Sequence, residues 1–195
     1  MKIFKWFLLT AILSLSSALY AQDQQMTPEQ AAAQKAWEDY MTPGDMHKIL
    51  AQTAGEWNSS ISVWMAPDAP PMTTDGTSKF EMILGGRYMK ETHTGNFMGM
   101  PYEGMGLTAY DNDKKTFYAT YIDNMGTGVM NGEGTYNPET KTLEIKGKFY
   151  EPTQKKDVSF RSELKFVDAN KLVYDMYSTM DGKEVKSMEA VYTKK

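Results

Sequence analysis

Tyr102-Glu103-Gly104-Met105-Gly106-Leu107-Thr108-Ala109-Tyr110-Asp111, then the break Asn112-Asp113, then Thr116-Phe117-Tyr118-Ala119-Thr120-Tyr121-Ile122-Asp123 is the stretch that decides the fold. Two alternating runs flank a polar turn, the signature of one antiparallel hairpin. Outward from it, runs of roughly 8 to 12 residues are divided by further turn dipeptides, Asp75-Gly76, Asn137-Pro138 and Asp181-Gly182. This spacing predicts about ten strands, over 55–66, 75–84, 87–95, 102–111, 116–123, 126–136, 141–151, 157–167, 171–179 and 184–193. So many sequential strands joined by tight turns predict an all-β fold. Its expected form is a single up-and-down antiparallel β-barrel, since closure removes the exposed edges of a long sheet. A two-sheet sandwich is the competing architecture.

Two short helices are expected ahead of the first strand. Thr27-Pro28-Glu29-Gln30 supplies a capping hydroxyl, a proline at the first helical position and a Gln at the third, and the Ala-rich run to Tyr40 favours helix. Thr42-Pro43-Gly44-Asp45 repeats the start signal, places Met46, Ile49 and Leu50 on one face, and stops at Gly55. The second helix is expected to plug one end of the barrel. Residues 22–42 thus read as a helical linker and 43–195 as the barrel domain.

The chain begins Met1-Lys2-Ile3-Phe4-Lys5, runs apolar from Trp6 to about Leu15, and ends this segment with Ser16-Ser17-Ala18-Leu19-Tyr20-Ala21. That pattern predicts a signal peptide over 1–21, cleaved after Ala21, with export to the periplasm or medium. The apolar run is too short to span a bilayer, so no membrane insertion is expected after cleavage. The absence of cysteine excludes disulfides, thiolate metal sites, a Cys nucleophile and lipoprotein anchoring. Losing the signal, with two lysines and no acid, takes the formal charge from −4 to −6, which disfavours nucleic acid as a partner.

Alternation assigns an inner face. In the third strand Lys90, Thr92 and Thr94 suit solvent, which sends Arg87, Met89, Glu91 and His93 inward. In the fourth, Glu103, Met105, Leu107 and Ala109 share a face; in the fifth, Phe117, Ala119, Tyr121 and Asp123 do. The first strand contributes Trp57, Ser59, Ile61, Val63 and Met65, and the last two add Leu172, Tyr174 and Met176, then Met188, Ala190 and Tyr192. The expected cavity set is Trp57, Arg87, Met89, Glu91, His93, Glu103, Met105, Tyr121, Asp123, Tyr174 and Met188. Apolar walls with a few polar groups describe a small-molecule pocket.

Glu91 and His93 lie two apart on one strand, so a carboxylate can orient an imidazole, with Asp123 or Glu103 as a second acid. No nucleophile motif accompanies them. The other histidine, His47, is distant in sequence, so no zinc ligand spacing is present. The clustered methionines raise Cu(I), but their strand spacing assigns most of them to packing; only Met98 and Met100, expected in a loop, escape that assignment. Gly126-Thr127-Gly128 leads into strand rather than helix and is no phosphate loop.

Ala54-Gly55-Glu56-Trp57, Met82-Ile83-Leu84-Gly85-Gly86-Arg87-Tyr88, the run Met98 to Asn112 and the run Tyr121 to Gly128 together resemble the bacterial domain-of-unknown-function family 1579. The resemblance covers about His47 to Lys195 and implies a lipocalin-like (calycin) barrel without an established activity. Gly55-Glu56-Trp57 is also similar to the Gly-x-Trp of lipocalins, which implies a Trp closing the barrel base under an Arg, here Arg87. A more distant similarity is to nitrobindin-type heme barrels, which implies an axial His near the chain end. Met188-Glu189-Ala190-Val191-Tyr192 has none, so no cofactor is expected.

The leading expectation is an exported barrel that binds a small, largely apolar molecule. The alternatives are an enzyme using Glu91, His93 and Asp123 for acid–base chemistry, and a surface-interaction protein with a filled core. The N-terminal reading predicts mature protein beginning at Gln22. N-terminal sequencing of exported protein checks it, and retention of Met1 overturns it.

Overall fold

Strand alternation dictates which side chains can share an interior, and the turns between strands dictate their order. In the computed structural model, which describes residues 26–67, 69–180 and 182–195, ten strands follow one another. They are β1 (Gly55–Val63), β2 (Met72–Ile83), β3 (Tyr88–Phe97), β4 (Met100–Asp111), β5 (Thr116–Asp123), β6 (Met130–Asn137), β7 (Thr142–Glu151), β8 (Lys156–Asp168), β9 (Lys171–Met180) and β10 (Lys183–Lys194). Each pairs antiparallel with its neighbours in sequence, and β1 closes the ring on β10, from Trp57 opposite Lys194 to Val63 opposite Met188. The sheet is one closed ring, not the two stacked layers of a sandwich. The expected signal at 1–21 and the turn residue Asp181 lie outside the described residues.

Local chemistry fixes the turns. Between β4 and β5, Asp111 Oδ1 accepts the N–H groups of Asp113 and Lys114, both at 2.9 Å, and the turn ends on Lys115 at φ 56°. The β6–β7 turn repeats this, with Asn137 Oδ1 accepting from Glu139 and Thr140 and Lys141 at φ 51°. A side chain that folds back onto its own backbone stabilises such a bend before any strand pairs. At the β3–β4 hairpin Phe97 pairs with Met100, so the loop is Met98-Gly99, with φ 53° and 83°. Positive φ at both central residues is a type I′ turn, which matches the twist of the flanking strands. Met98 is therefore a turn residue, and Met100 opens β4 rather than lying in a loop. The start of β6 falls at Met130 rather than 126, because Asp123 Oδ1 accepts the Met125 N–H at 2.9 Å and Asn124 N–H bonds to Glu103 O at 3.0 Å. These bonds hold the intervening residues in a turn.

Helix α1 (Pro28–Met41) starts as its sequence directs: Thr27 N–H bonds to Gln30 Oε1 at 2.9 Å and Gln30 N–H to Thr27 Oγ1 at 3.2 Å. Helix α2 (Asp45–Ala51) lies in the unit that runs from Asp39 to Lys195 and caps one end of the barrel. Ahead of it, the Asn112 Nδ2 in the β4–β5 turn reaches the carbonyls of Asp39, Tyr40 and Thr42 at 3.1, 3.1 and 2.7 Å. Among the described residues no helix is long and apolar enough to cross a membrane.

The capped end is filled. Leu50 and Trp57 are fully buried, joined by Phe80, Met89, Phe117 and Leu172. Trp57 Nε1 donates to Thr53 O at 2.8 Å, and Thr53 Oγ1 donates to Leu50 O at 2.8 Å, so the indole ties β1 to the residues that follow α2. The cation over the indole is Lys194, 5.2 Å from the ring centroid, not Arg87. Arg87 lies in the exposed β2–β3 turn and donates to Leu84 O at 3.1 Å. Ring closure explains the exchange, since Lys194 is the residue directly opposite Trp57 across β1–β10.

His47 seals the same end, buried edge-on to Tyr110 with ring centroids 5.8 Å apart, and its Nδ1 accepts the Gly44 N–H at 3.1 Å. Burial, then the nearby Arg87 charge, lowers its pKa below the ordinary 6.5.

Two outcomes follow from this base. Trp57→Ala is expected to lose about 3–5 kcal/mol, the usual range for deleting a fully buried aromatic, and an unchanged urea midpoint would count against the tie. Because folded His47 binds its proton more weakly, the unfolded chain takes up more protons as pH falls through 6.5, and stability drops with it. The parent is therefore expected to lose more stability than His47→Asn between about pH 7 and pH 5. Equal slopes in pH-dependent denaturation would refute this.

Candidate functional site

A closed ring has one interior, and the side chains that enter it are set by β4. Its inner face carries Tyr102, Gly104, Gly106 and Thr108, the opposite phase to that expected from alternation. Glu103, Met105 and Leu107 point outward, with Met105 43% and Leu107 40% exposed. The cause is crowding from the neighbouring strands. A Cβ added at Gly104 would lie 2.0 Å from Tyr121 Oη, and one at Gly106 would lie 2.2 Å from Glu91 Oε1. Glu91, Gly106 and Tyr121 form one row across β3, β4 and β5, and His93, Gly104 and Asp123 form the next. The two glycines open space into which the flanking side chains fold.

Above the packed base the interior holds a cavity of about 380 Å³. Of the residues expected there, Met89, Glu91, His93, Tyr121, Asp123, Tyr174 and Met188 line it. Trp57 lies beneath it in the base, while Arg87, Glu103 and Met105 are exposed on the outside. Tyr102, Thr108 and Ser162, none of them expected there, also line the wall. For Tyr102 a signal was present: glycine at alternate positions beside two strands of large inward residues marks the face that makes room.

The polar groups converge on one side. His93 Nδ1 and Ser78 Oγ are 2.8 Å apart, and His93 Nε2 lies 3.5 Å from Glu91 Oε2. The imidazole meets both partners when Nε2 carries the proton toward Glu91 and Nδ1 accepts from Ser78. Ser78 is buried, forms no part of the cavity wall, and so positions the ring. Tyr102 and Tyr121 hydroxyls are 2.7 Å apart. Burial pushes the Tyr102 phenol up to about 12, opposed by the Tyr121 hydrogen bond and reinforced by its own bond toward Asp123. Burial likewise raises Tyr174 to about 12, and moves Tyr121 and Tyr192 well above the ordinary phenol value. The Glu91 charge adds to the rise at all four tyrosines, which places it electrostatically at the centre of the cluster.

Cations gather on the opposite face of the wall. Tyr174 and Met176 face inward, so Asp175 between them faces out, clasped by Lys186 Nζ at 2.7 Å and Lys165 Nζ at 3.1 Å. Burial opposes its ionisation, but the two lysines hold its pKa below the ordinary carboxylate value. Arg161 bridges Glu163 and Glu184 and stacks 4.1 Å from the Tyr177 ring centroid. Among the described residues no lysine or arginine lines the cavity, and no three His, Asp or Glu side chains converge as a metal site.

Comparison with known proteins bears on the fold. The chain is similar to Rv2717c from M. tuberculosis, at 13% identity and a TM-score of 0.56, over 79% of this chain and 99% of that one. A structure of EF1p2_mFAP2b bound to DFHBI is 10% identical, with a TM-score of 0.43, covering 77% of this chain and all of the other. No curated protein matches. The family model described as protein of unknown function, DUF1579, matches residues 42–194, from just ahead of α2 to the last strand. The chain belongs to the DUF1579 family.

Proposed function

We propose that the protein binds a small, largely apolar molecule inside the barrel. The observation that carries this reading is a cavity of about 380 Å³ above a filled base, walled by Ile61, Met89, Phe160, Met176 and Met188 and by aromatic rings. Natural ligand pockets combine such walls with a small number of orienting polar groups. A barrel used only as a core would have no reason to leave that volume empty, since each lining atom forfeits its packing contacts. The protein is proposed to act outside the cytoplasm, a placement that rests on the N-terminal signal pattern alone.

A second reading, acid–base chemistry by Glu91, His93 and Asp123, is favoured by one observation: the carboxylate and imidazole meet at 3.5 Å on the cavity wall. Binding and turnover separate experimentally. Glu91→Gln and His93→Gln that retain a bound molecule but end its conversion would favour the enzyme.

Burying roughly 200–300 Å² of an apolar probe at about 25 cal/mol per Å² gives some 5–8 kcal/mol before ordering costs, which permits micromolar to millimolar binding. A neutral aromatic probe titrated against the parent is expected to saturate and to change on entry to the cavity. Ala119→Phe, which puts a ring into the wall, is expected to abolish the signal with the circular dichroism of the barrel unchanged. Lys90→Ala, on the outer face, is expected to leave it intact. Absence of saturable binding across neutral apolar probes would overturn the reading.

A further inference from the structure

The carboxylates of the cavity wall have no lysine or arginine beside them. Asp75, Glu91 and Asp123 are in its wall, and no lysine or arginine is, among the described residues. Asp123 has a donor of its own, the Met125 N–H at 2.9 Å. Glu91 has no such backbone donor among the described residues and meets His93 Nε2 at 3.5 Å. A carboxylate in a mostly apolar pocket is stabilised by any donor that enters, and most by one that carries positive charge.

A second, independent feature points the same way. Tyr192 is 6% exposed and lines the cavity. The Ser59 hydroxyl, directly opposite it across β1–β10, is buried without a partner among the described residues. Around them stand the rings of Phe80, 5.5 Å from Tyr192, and His93, 6.1 Å from Tyr192 and 5.9 Å from Tyr121. Phenol faces attract organic cations within about 6 Å. An anionic head group would meet the Glu91 carboxylate with no lysine or arginine in the wall to offset it.

We propose, building on the binding reading above, that the ligand is an apolar molecule with a cationic ammonium head. The head lies against the Glu91 carboxylate and the Tyr121 and Tyr192 side chains, and the apolar body lies along the methionine and phenylalanine wall. The specificity is against carboxylates: a fatty acid of the same tail is a poor ligand.

The test uses three probes with one tail, octylammonium, octanol and octanoate, titrated calorimetrically into the whole protein at neutral pH. Octylammonium is expected to bind more tightly than octanol by on the order of tenfold or more, as for a charge-assisted hydrogen bond, and octanoate more weakly than octanol. Glu91→Gln is expected to close the gap between octylammonium and octanol. Asp123→Asn, a second charge-removing variant with a separate backbone tether, is expected to narrow it less. Glu103→Gln, on the outer surface, is expected to change none of the three affinities. Octanol binding with octylammonium no tighter, or with octanoate tightest, overturns the ammonium proposal and leaves cavity binding standing. A gap that survives both Glu91→Gln and Asp123→Asn overturns the assigned contact. Failure of all three probes overturns the cavity reading and the head-group proposal together.

Discussion

Closure of the hydrogen-bonded ring between β1 and β10 fixes the perimeter, and a fixed perimeter makes every inward side chain a competitor for one shared volume. At the α2 end that volume is claimed by Leu50, Trp57, Phe80, Met89 and Phe117. Trp57 acts there as a tie as well as a filler, because its N–H is satisfied by Thr53 O and its face by the Lys194 cation. Without the indole, the residues that follow α2 would lose this hydrogen bond to the first strand. Further along the axis the same competition is resolved by removing side chains, at Gly104 and Gly106, and the room so made is where the polar cluster forms.

That cluster is possible because its members restrain one another. Ser78 holds one nitrogen of His93, Glu91 faces the other, and Tyr121 and Tyr102 share a hydrogen bond. Buried polar groups left open destabilise a fold unless something meets them. Most here are met; among the described residues Ser59 Oγ is buried without a partner, and Glu91 lines the cavity 3.5 Å from the His93 imidazole. The outer-face carboxylate of Asp175 is met by two lysines, whereas the inner-face Glu91 is met by none among the described residues.

The family match begins at residue 42, where the carbonyl of Thr42 meets Asn112, and runs through β10. It therefore spans the plug and the ring as one unit, the same unit that holds the cavity. Similarity to Rv2717c at 13% identity speaks for the barrel and not for its contents, which depend on side chains that such distant sequences need not share.

Sequence alone determined the ring. Turn signals at Asn112-Asp113 and Asn137-Pro138, alternation within each run, and the capping residues at Thr27 are local and legible because they act over a few residues. Asp75-Gly76, expected as a turn, lies inside β2, where both residues pair with β1. It also placed Met89, Glu91, His93, Tyr121, Asp123, Tyr174 and Met188 on one face, since strands β3, β5, β9 and β10 carry bulky residues at their inner positions. It misassigned β4, putting Glu103 and Met105 inside and leaving Tyr102 out. There the inner positions are glycines whose reason lies on the adjacent strands, in the side chains of Tyr121 and Glu91. Arg87 failed for a similar cause: the cation over Trp57 is chosen by the register that closes the ring, which brings in a residue 137 positions away, Lys194. Periodicity reports which residues alternate; only packing between strands decides which phase faces inward, and what empty space and charge remain there.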